Sequence, residues 1–193
     1  MKAPDPHPNS KETILLVDDT PDNLRLLSQI LAERDYKVRA ATNGERALQT
    51  ARLDPPDLIL LDIRMPGING FEVCVSLKLN GKTRDIPVIF ISALDEVADK
   101  VKAFEVGGVD YITKPFQYEE VIARVETHLA LHSLQKSLQA QVTELDAFAH
   151  TVAHDLKNPL NLLLGYADLL VARLAGNQDE MLQEYAEIIV RVG

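Results

Sequence analysis

Five short runs rich in branched apolar residues recur through the first two-thirds of the chain, at 14–17, 36–41, 57–61, 86–91 and 109–112. Each is too short to make a helix and is bounded by polar or turn-forming residues, which is the signature of a buried strand. Between them lie amphipathic stretches with helix-start signals. Thr20-Pro21 sets a capping hydroxyl before a first-turn proline, and Thr42 with Glu45 reads as a capping box. Strand and helix in regular alternation predict a doubly wound α/β fold, a five-stranded parallel sheet covered on both faces.

After Phe116 the pattern changes. From Gln117 through Asn158 there is neither glycine nor proline, so nothing in the sequence stops one long helix. Leu131, Leu134, Leu138, Gln141, Leu145, Phe148 and Val152 step by three and four, the apolar seam of a coiled coil with one polar position. Beyond Val152 the seam passes through Leu156 and Leu160 by fours and resumes at Leu163, Ala167, Leu170 and Leu174, a stutter that locally unwinds a supercoil. Gly176-Asn177 is a helix stop. Asn177 with Glu180 starts another helix, with its seam at Leu182, Tyr185, Ile189 and Val192. These signals predict an antiparallel helical hairpin that dimerises into a four-helix bundle. The expected organisation is a disordered tail over 1–10, an α/β domain over 11–130, a coiled-coil linker helix over 131–145 and a truncated hairpin over 146–193.

Composition excludes some functions. A net charge of −9 and a pI near 5.0 oppose nucleic-acid binding, because an acidic chain repels the phosphate backbone. No apolar run approaches the ~18 residues of a membrane helix, and the polar, proline-rich start has no signal-peptide core. A soluble, cytoplasmic protein is expected. The single cysteine, Cys74, sits among Phe71, Val73, Val75 and Leu77 and reads as a small buried side chain.

In a doubly wound sheet, ligands bind outside the carboxyl ends of the strands, so the polar residues that directly follow the apolar runs matter most. Asp18 and Asp19 follow the first run, Asp62 the third, Ser92 the fourth and Lys114 the fifth. Three carboxylates crowded on one edge repel unless a cation joins them, and hard oxygen ligands with room for water suit Mg²⁺. A carboxylate can then attack phosphorus if the metal and a nearby ammonium neutralise the transferring group. Asp62 is the candidate nucleophile, Asp18 and Asp19 the metal-holding acids, with Lys114 and Ser92 against the phosphoryl oxygens.

The segments LLVDDTPDN, LLDIRMPGINGFE, VIFISA and DYITKPF resemble the motif set of response-regulator receiver domains, across about residues 11–130. The resemblance implies a flavodoxin-like sheet of order 2-1-3-4-5, Asp62 as phosphoacceptor, Asp18 and Asp19 as metal acids, Ser92 and Lys114 as phosphoryl contacts, Tyr111 as the aromatic switch, and a cis Lys114-Pro115 bond. Ser92 stands where many such domains carry threonine, which keeps the hydroxyl. Arg64 holds a position tied to how fast the phosphoryl group is lost. Dehalogenase-type phosphatases also use an aspartate after an apolar strand, but they require a second aspartate where Arg64 stands.

On the long helix, Val152, Leu156 and Leu160 define one side at 100° per residue, and His150, His154, Lys157, Asn158 and Asn161 the other. A solvent-facing imidazole is partly neutral at physiological pH and can act as a nucleophile if a base takes its other proton. Asp155 is placed to orient or deprotonate His154. Pro159 lacks the N–H that would bond to the Asp155 carbonyl, so a bend is expected there. HDLKNPL resembles the H-box of histidine-kinase dimerisation and phosphoacceptor domains, across about residues 141–193. That resemblance implies His154 as phosphorylated nucleophile, Asp155 as general base and Asn158 as the residue that positions water in the phosphatase direction. The pairs His128/His132 and His150/His154 have zinc-protease spacing, but Leu129 and Thr151 stand where glutamate is needed, so exposed helix histidines are expected.

Together these readings predict a receiver regulating a histidine-kinase core as a homodimer, a fragment of a longer kinase that reaches ATP only through a domain beyond this sequence. A non-catalytic phosphorelay or dimerisation module is the alternative. The expected partner is a cognate histidine kinase or response regulator.

Overall fold

A computed structural model describes residues 12–93 and 97–174. Contacts divide the chain into two compact units, Met1–Gln135 and Lys136–Gly193. The first holds five strands, β1 (Thr13–Val17), β2 (Lys37–Ala41), β3 (Leu58–Asp62), β4 (Val88–Ser92) and β5 (Asp110–Thr113), alternating with α1 (Pro21–Ala32), α2 (Gly44–Leu53), α3 (Gly70–Lys78) and α4 (Val97–Glu105). All neighbouring strands are parallel, in the order β2-β1-β3-β4-β5, as the sequence predicts.

Alternation along the strands feeds two cores. Leu15, Val17, Ile59, Leu61, Val88 and Phe90 face one side and pack with α2, α3 and Ala103 of α4. Ile14, Leu16, Leu58, Leu60, Ile89 and Ile91 face the other, against α1 and the start of α5 (Tyr118–Leu174). Both β3 and β4 are buried at every residue, the expected state of central parallel strands. Each fully buried leucine or isoleucine contributes roughly 1.5–3 kcal/mol, so the sheet holds its strand ends in place firmly.

Two local expectations are corrected and one further cap appears. Thr20 is the N-cap of α1 but makes no side-chain cap bond; Pro21 at the helix start has no N–H of its own left to satisfy. The cap of α2 is Asn43, accepting from the Arg46 N–H, and not Thr42, because the helix begins one residue later than the Thr42/Glu45 pairing requires. A full capping box exists at Asn69 and Glu72, at the head of α3.

The histidine expectation also fails in part. Val121, Val125, Leu129 and His132 share one buried stripe of α5, so His132 is packed in and not exposed. His128 is held by Asp110, with Nε2 at 3.0 Å from Oδ2. Further along, α5 is helical through Pro159 to Leu174. In the second unit Leu138, Leu145, Phe148, Val152, Leu156 and Leu160 are exposed apolar residues at the spacing of the predicted seam. The tail over 1–10, the Gly176-Asn177 stop and the second hairpin helix lie outside the described residues.

Candidate functional site

Strand register decides which loop residues meet. Val17 pairs with Leu61, Asp62 with Ile91 and Ser92 with Thr113, so Asp18, Asp62, Ser92 and Lys114 emerge within about two residues of one another along the sheet edge. Gly70, the first residue of α3, lies against the Asp62 backbone: an added Cβ would overlap the Asp62 carbonyl oxygen. The α3 capping box and this close approach fix the loop that follows Asp62.

The predicted acids do converge. One carboxylate oxygen each from Asp18, Asp19 and Asp62 lies within 4.8 Å of the others, the sole such cluster of possible metal ligands among the described residues. Lys114 Nζ donates to Asp18 Oδ2 at 2.9 Å and to Asp62 Oδ1 at 2.8 Å. Asp18 is fully buried and Asp62 is 4% exposed, while Asp19 faces solvent. Asp18 also accepts from the Thr20 N–H at 2.8 Å and from Asn23 Nδ2 at 3.0 and 2.9 Å. Asn23 was missed from sequence, since only the turn of α1 brings it back over the strand end. Ser92 is buried at the same edge, and its carbonyl accepts from the Lys114 N–H at 2.8 Å. The Lys114-Pro115 bond is cis.

Burial pushes the Asp62 carboxyl above its ordinary range, and Asp18 and Asp19 add to that; Lys114 offsets only part of it. Burial alone would lower Lys114, but its hydrogen bonds to Asp62 and Asp18 outweigh this and raise it. One ammonium among three carboxylates leaves a net negative cleft. Its donor set, oxygen only and open to solvent at Asp19, fits a hard divalent cation of the Mg²⁺ type.

Tyr111 lies on β5, edge-on to Phe104 with ring centroids 6.2 Å apart. Lys100 Nζ is 4.7 Å from its centroid and Arg124 Cζ 5.7 Å. Arg124 also binds Asp110, so the predicted switch aromatic borders a polar network that ties β5 to α5. Cys74 is buried, its thiol pushed up to about 11 by burial.

In the second unit His154 stands with 68% of its side chain exposed, and its Nδ1 is 3.3 Å from Asp155 Oδ1. With Nδ1–H donating to the carboxylate, Nε2 is left as the open nucleophilic nitrogen. Asn158 lies one turn on and is exposed. His150 is likewise exposed.

Comparison with known proteins agrees with this geometry. The response regulator receiver domain family matches residues 14–126. The His Kinase A (phospho-acceptor) domain family matches residues 144–192. The response regulator PleD of Caulobacter vibrioides is 46% identical over 114 residues, 59% of this chain and 25% of that protein. The chain spans about a quarter to a half of the length of the curated relatives it matches. Among solved structures, the receiver domain of a signal transduction histidine kinase from Syntrophus aciditrophicus is 35% identical with a TM-score of 0.58, covering 62% of this chain and 90% of that one. The receiver domain of a sensor histidine kinase from Pseudomonas aeruginosa, with a magnesium ion coordinated in its active site cleft, is 26% identical with a TM-score of 0.59, covering 63% and 99%.

The chain therefore belongs to the response-regulator receiver family. More particularly, it joins a receiver to a histidine-kinase phosphoacceptor domain and is a component of two-component signal transduction. Among the described residues, no helix is long and apolar enough to cross a membrane.

Proposed function

We propose that Asp62 accepts a phosphoryl group and that this acceptance regulates a histidine-kinase core whose own acceptor is His154. The observation that carries the reading is the convergence of three carboxylates with Lys114 on one sheet edge. An Asp62 oxygen attacks phosphorus, the bond to the donor breaks, and Lys114 moves from its carboxylate partners toward the phosphoryl oxygens with Ser92 donating beside it. Asp18, Asp19 and Asp62 would hold Mg²⁺, which supplies charge neutralisation to the transferring group. Asn23 and the Thr20 N–H keep the Asp18 carboxylate aimed at the cleft.

Tyr111 reorients on phosphorylation, and its border with Arg124 passes the change to α5. Because α5 belongs to both units, it is the coupling element toward His154. Asp155 orients the imidazole and takes its Nδ1 proton as Nε2 attacks, and Asn158 positions water in the reverse, phosphatase direction. A histidine-kinase ATP-binding domain, in cytoplasm, supplies the phosphoryl group. The exposed seam pairs two copies into a dimer. Functional boundaries follow as a receiver over 11–130, a linker over 131–145 and a phosphoacceptor hairpin over 146–193.

The decisive measurement is phosphate incorporation. The chain is incubated with a separately made kinase ATP-binding domain and ATP, and in parallel with acetyl phosphate and Mg²⁺. His154→Gln removes the first label only, and Asp62→Asn the second only; labels that survive both substitutions defeat the assignment. Gly-Gly inserted near Gln139 uncouples the sites, and unchanged regulation would count against α5 as the link.

A further inference from the structure

A pocket of about 560 Å³ opens directly off the acceptor site, since Asp19 belongs to both. Phe71 and Met65, both buried, line it alongside Arg64 and Lys102. Neither cation makes an ion pair among the described residues, although Asp19 lines the same pocket. Lys102 is held in place differently, with Nζ 4.6 Å from the centroid of the Phe71 ring. That contact pins an exposed ammonium over a buried aromatic and leaves its charge for something that enters the pocket.

We propose that this pocket receives the leaving group of a small phosphodonor, and that Lys102 is the residue that favours donors whose leaving group departs as an anion, namely acyl phosphates. The inference rests on Asp62 being the acceptor. In the transfer, the Asp62 oxygen–phosphorus bond forms as the bond between phosphorus and the acyl oxygen breaks. The electron pair stays on that oxygen, so a carboxylate charge develops on the side away from Asp62. A fixed ammonium there stabilises the transition state more than the bound donor. Phosphoramidate offers the contrast, because its P–N bond breaks to release neutral ammonia and nothing anionic forms in the pocket.

The test compares the two donors on the full chain with Mg²⁺, following phosphate on Asp62 by mass spectrometry. Lys102→Gln should lower the acetyl phosphate rate about tenfold, equivalent to about 1.4 kcal/mol, while the phosphoramidate rate stays within about twofold. Lys102→Arg should restore the acetyl phosphate rate, and added salt should shrink the parent's preference, because the ammonium is exposed to screening. Equal effects on both donors, or no effect on either, overturn the role of Lys102. Failure of both donors to label the parent overturns the Asp62 reading itself, and the pocket proposal falls with it.

Discussion

Asp62 and His154 are both candidate phosphoryl acceptors, yet their surroundings are opposites. Asp62 ends a fully buried strand, is 4% exposed, and has Lys114 at 2.8 Å with two more carboxylates within reach. His154 keeps 68% of its side chain in solvent, and Asp155 at 3.3 Å is the partner it has among the described residues. The receiver site carries nearly all its machinery within one unit, brought together from four loops. In the proposed reading His154 has Asp155 as its base, and no further charged partner surrounds it among the described residues. A buried, charge-dense acceptor suits a small donor or an inserted imidazole. An exposed imidazole on a helix suits a large partner that has to approach and leave.

The largest expected effect breaks the receiver side of that contrast. Asp62→Asn should abolish labelling by acetyl phosphate, because no second carboxylate occupies the end of β3. Lys114→Gln should cost roughly 10²–10³-fold, the scale of removing one preorganised donor to developing charge. On the histidine side, Asp155→Asn should slow labelling of His154 by an added ATP-binding domain about 10²-fold, the lower end of general-base contributions. If it changes nothing, the 3.3 Å contact is incidental and the incoming domain brings its own base.

Gly70→Ala tests whether the receiver site depends on its backbone. The new Cβ would overlap the Asp62 carbonyl, and relief by backbone shift should cost about 1–3 kcal/mol in chemical denaturation and slow acetyl phosphate labelling as well. Gly165→Ala in α5, where nothing lies within 4 Å among the described residues, should instead stabilise slightly, by about 1 kcal/mol at most.

The same contrast explains what was legible beforehand. The receiver acids could be read because they come just after short apolar runs, and parallel strands in near register must deliver such residues to one edge. Tertiary closure hid the rest. Asn23 acts on Asp18 only after α1 turns back over the strand, and Asn43 caps α2 because that helix starts one residue later than the sequence signal. His128 and His132 fall off the coiled-coil seam, which starts at Leu131, so spacing alone leaves them on the surface. The earlier stripe of Val121, Val125 and Leu129 already commits that face of α5 to the sheet. His154 was legible for the opposite reason, since an exposed helix face needs no tertiary partner to define it.

Two carboxylates in the first unit give the finest test, because burial acts on both and their partners decide different outcomes. Burial holds Asp62 above the ordinary carboxylate value despite Lys114. Burial would raise Asp110 too, but hydrogen bonds from Arg124 and His128 outweigh it and hold Asp110 below that value. A raised native value means the folded state keeps its proton while the unfolded state loses it. Stability from Asp62 is then present below the unfolded value and is lost as pH rises through the native one. Asp110 runs the other way: its contribution is present above the unfolded value and disappears as pH falls through its lowered native one. Denaturation of the unphosphorylated chain without divalent metal, measured across the acidic range, should therefore show Asp62→Asn gaining on the parent as pH rises past the ordinary carboxylate value. Asp110→Asn should lose to the parent at lower pH, over the rise from the lowered native value up to the ordinary carboxylate value, and hold a constant deficit above it. Mg²⁺ should narrow the first difference and leave the second alone, since a cation that binds only the folded acid cluster compensates Asp62 and has no counterpart at Asp110. Parallel curves for the two variants would mean that the acid cluster is as well satisfied as the Asp110 network, and the case for a cation at the receiver edge would lose its electrostatic basis.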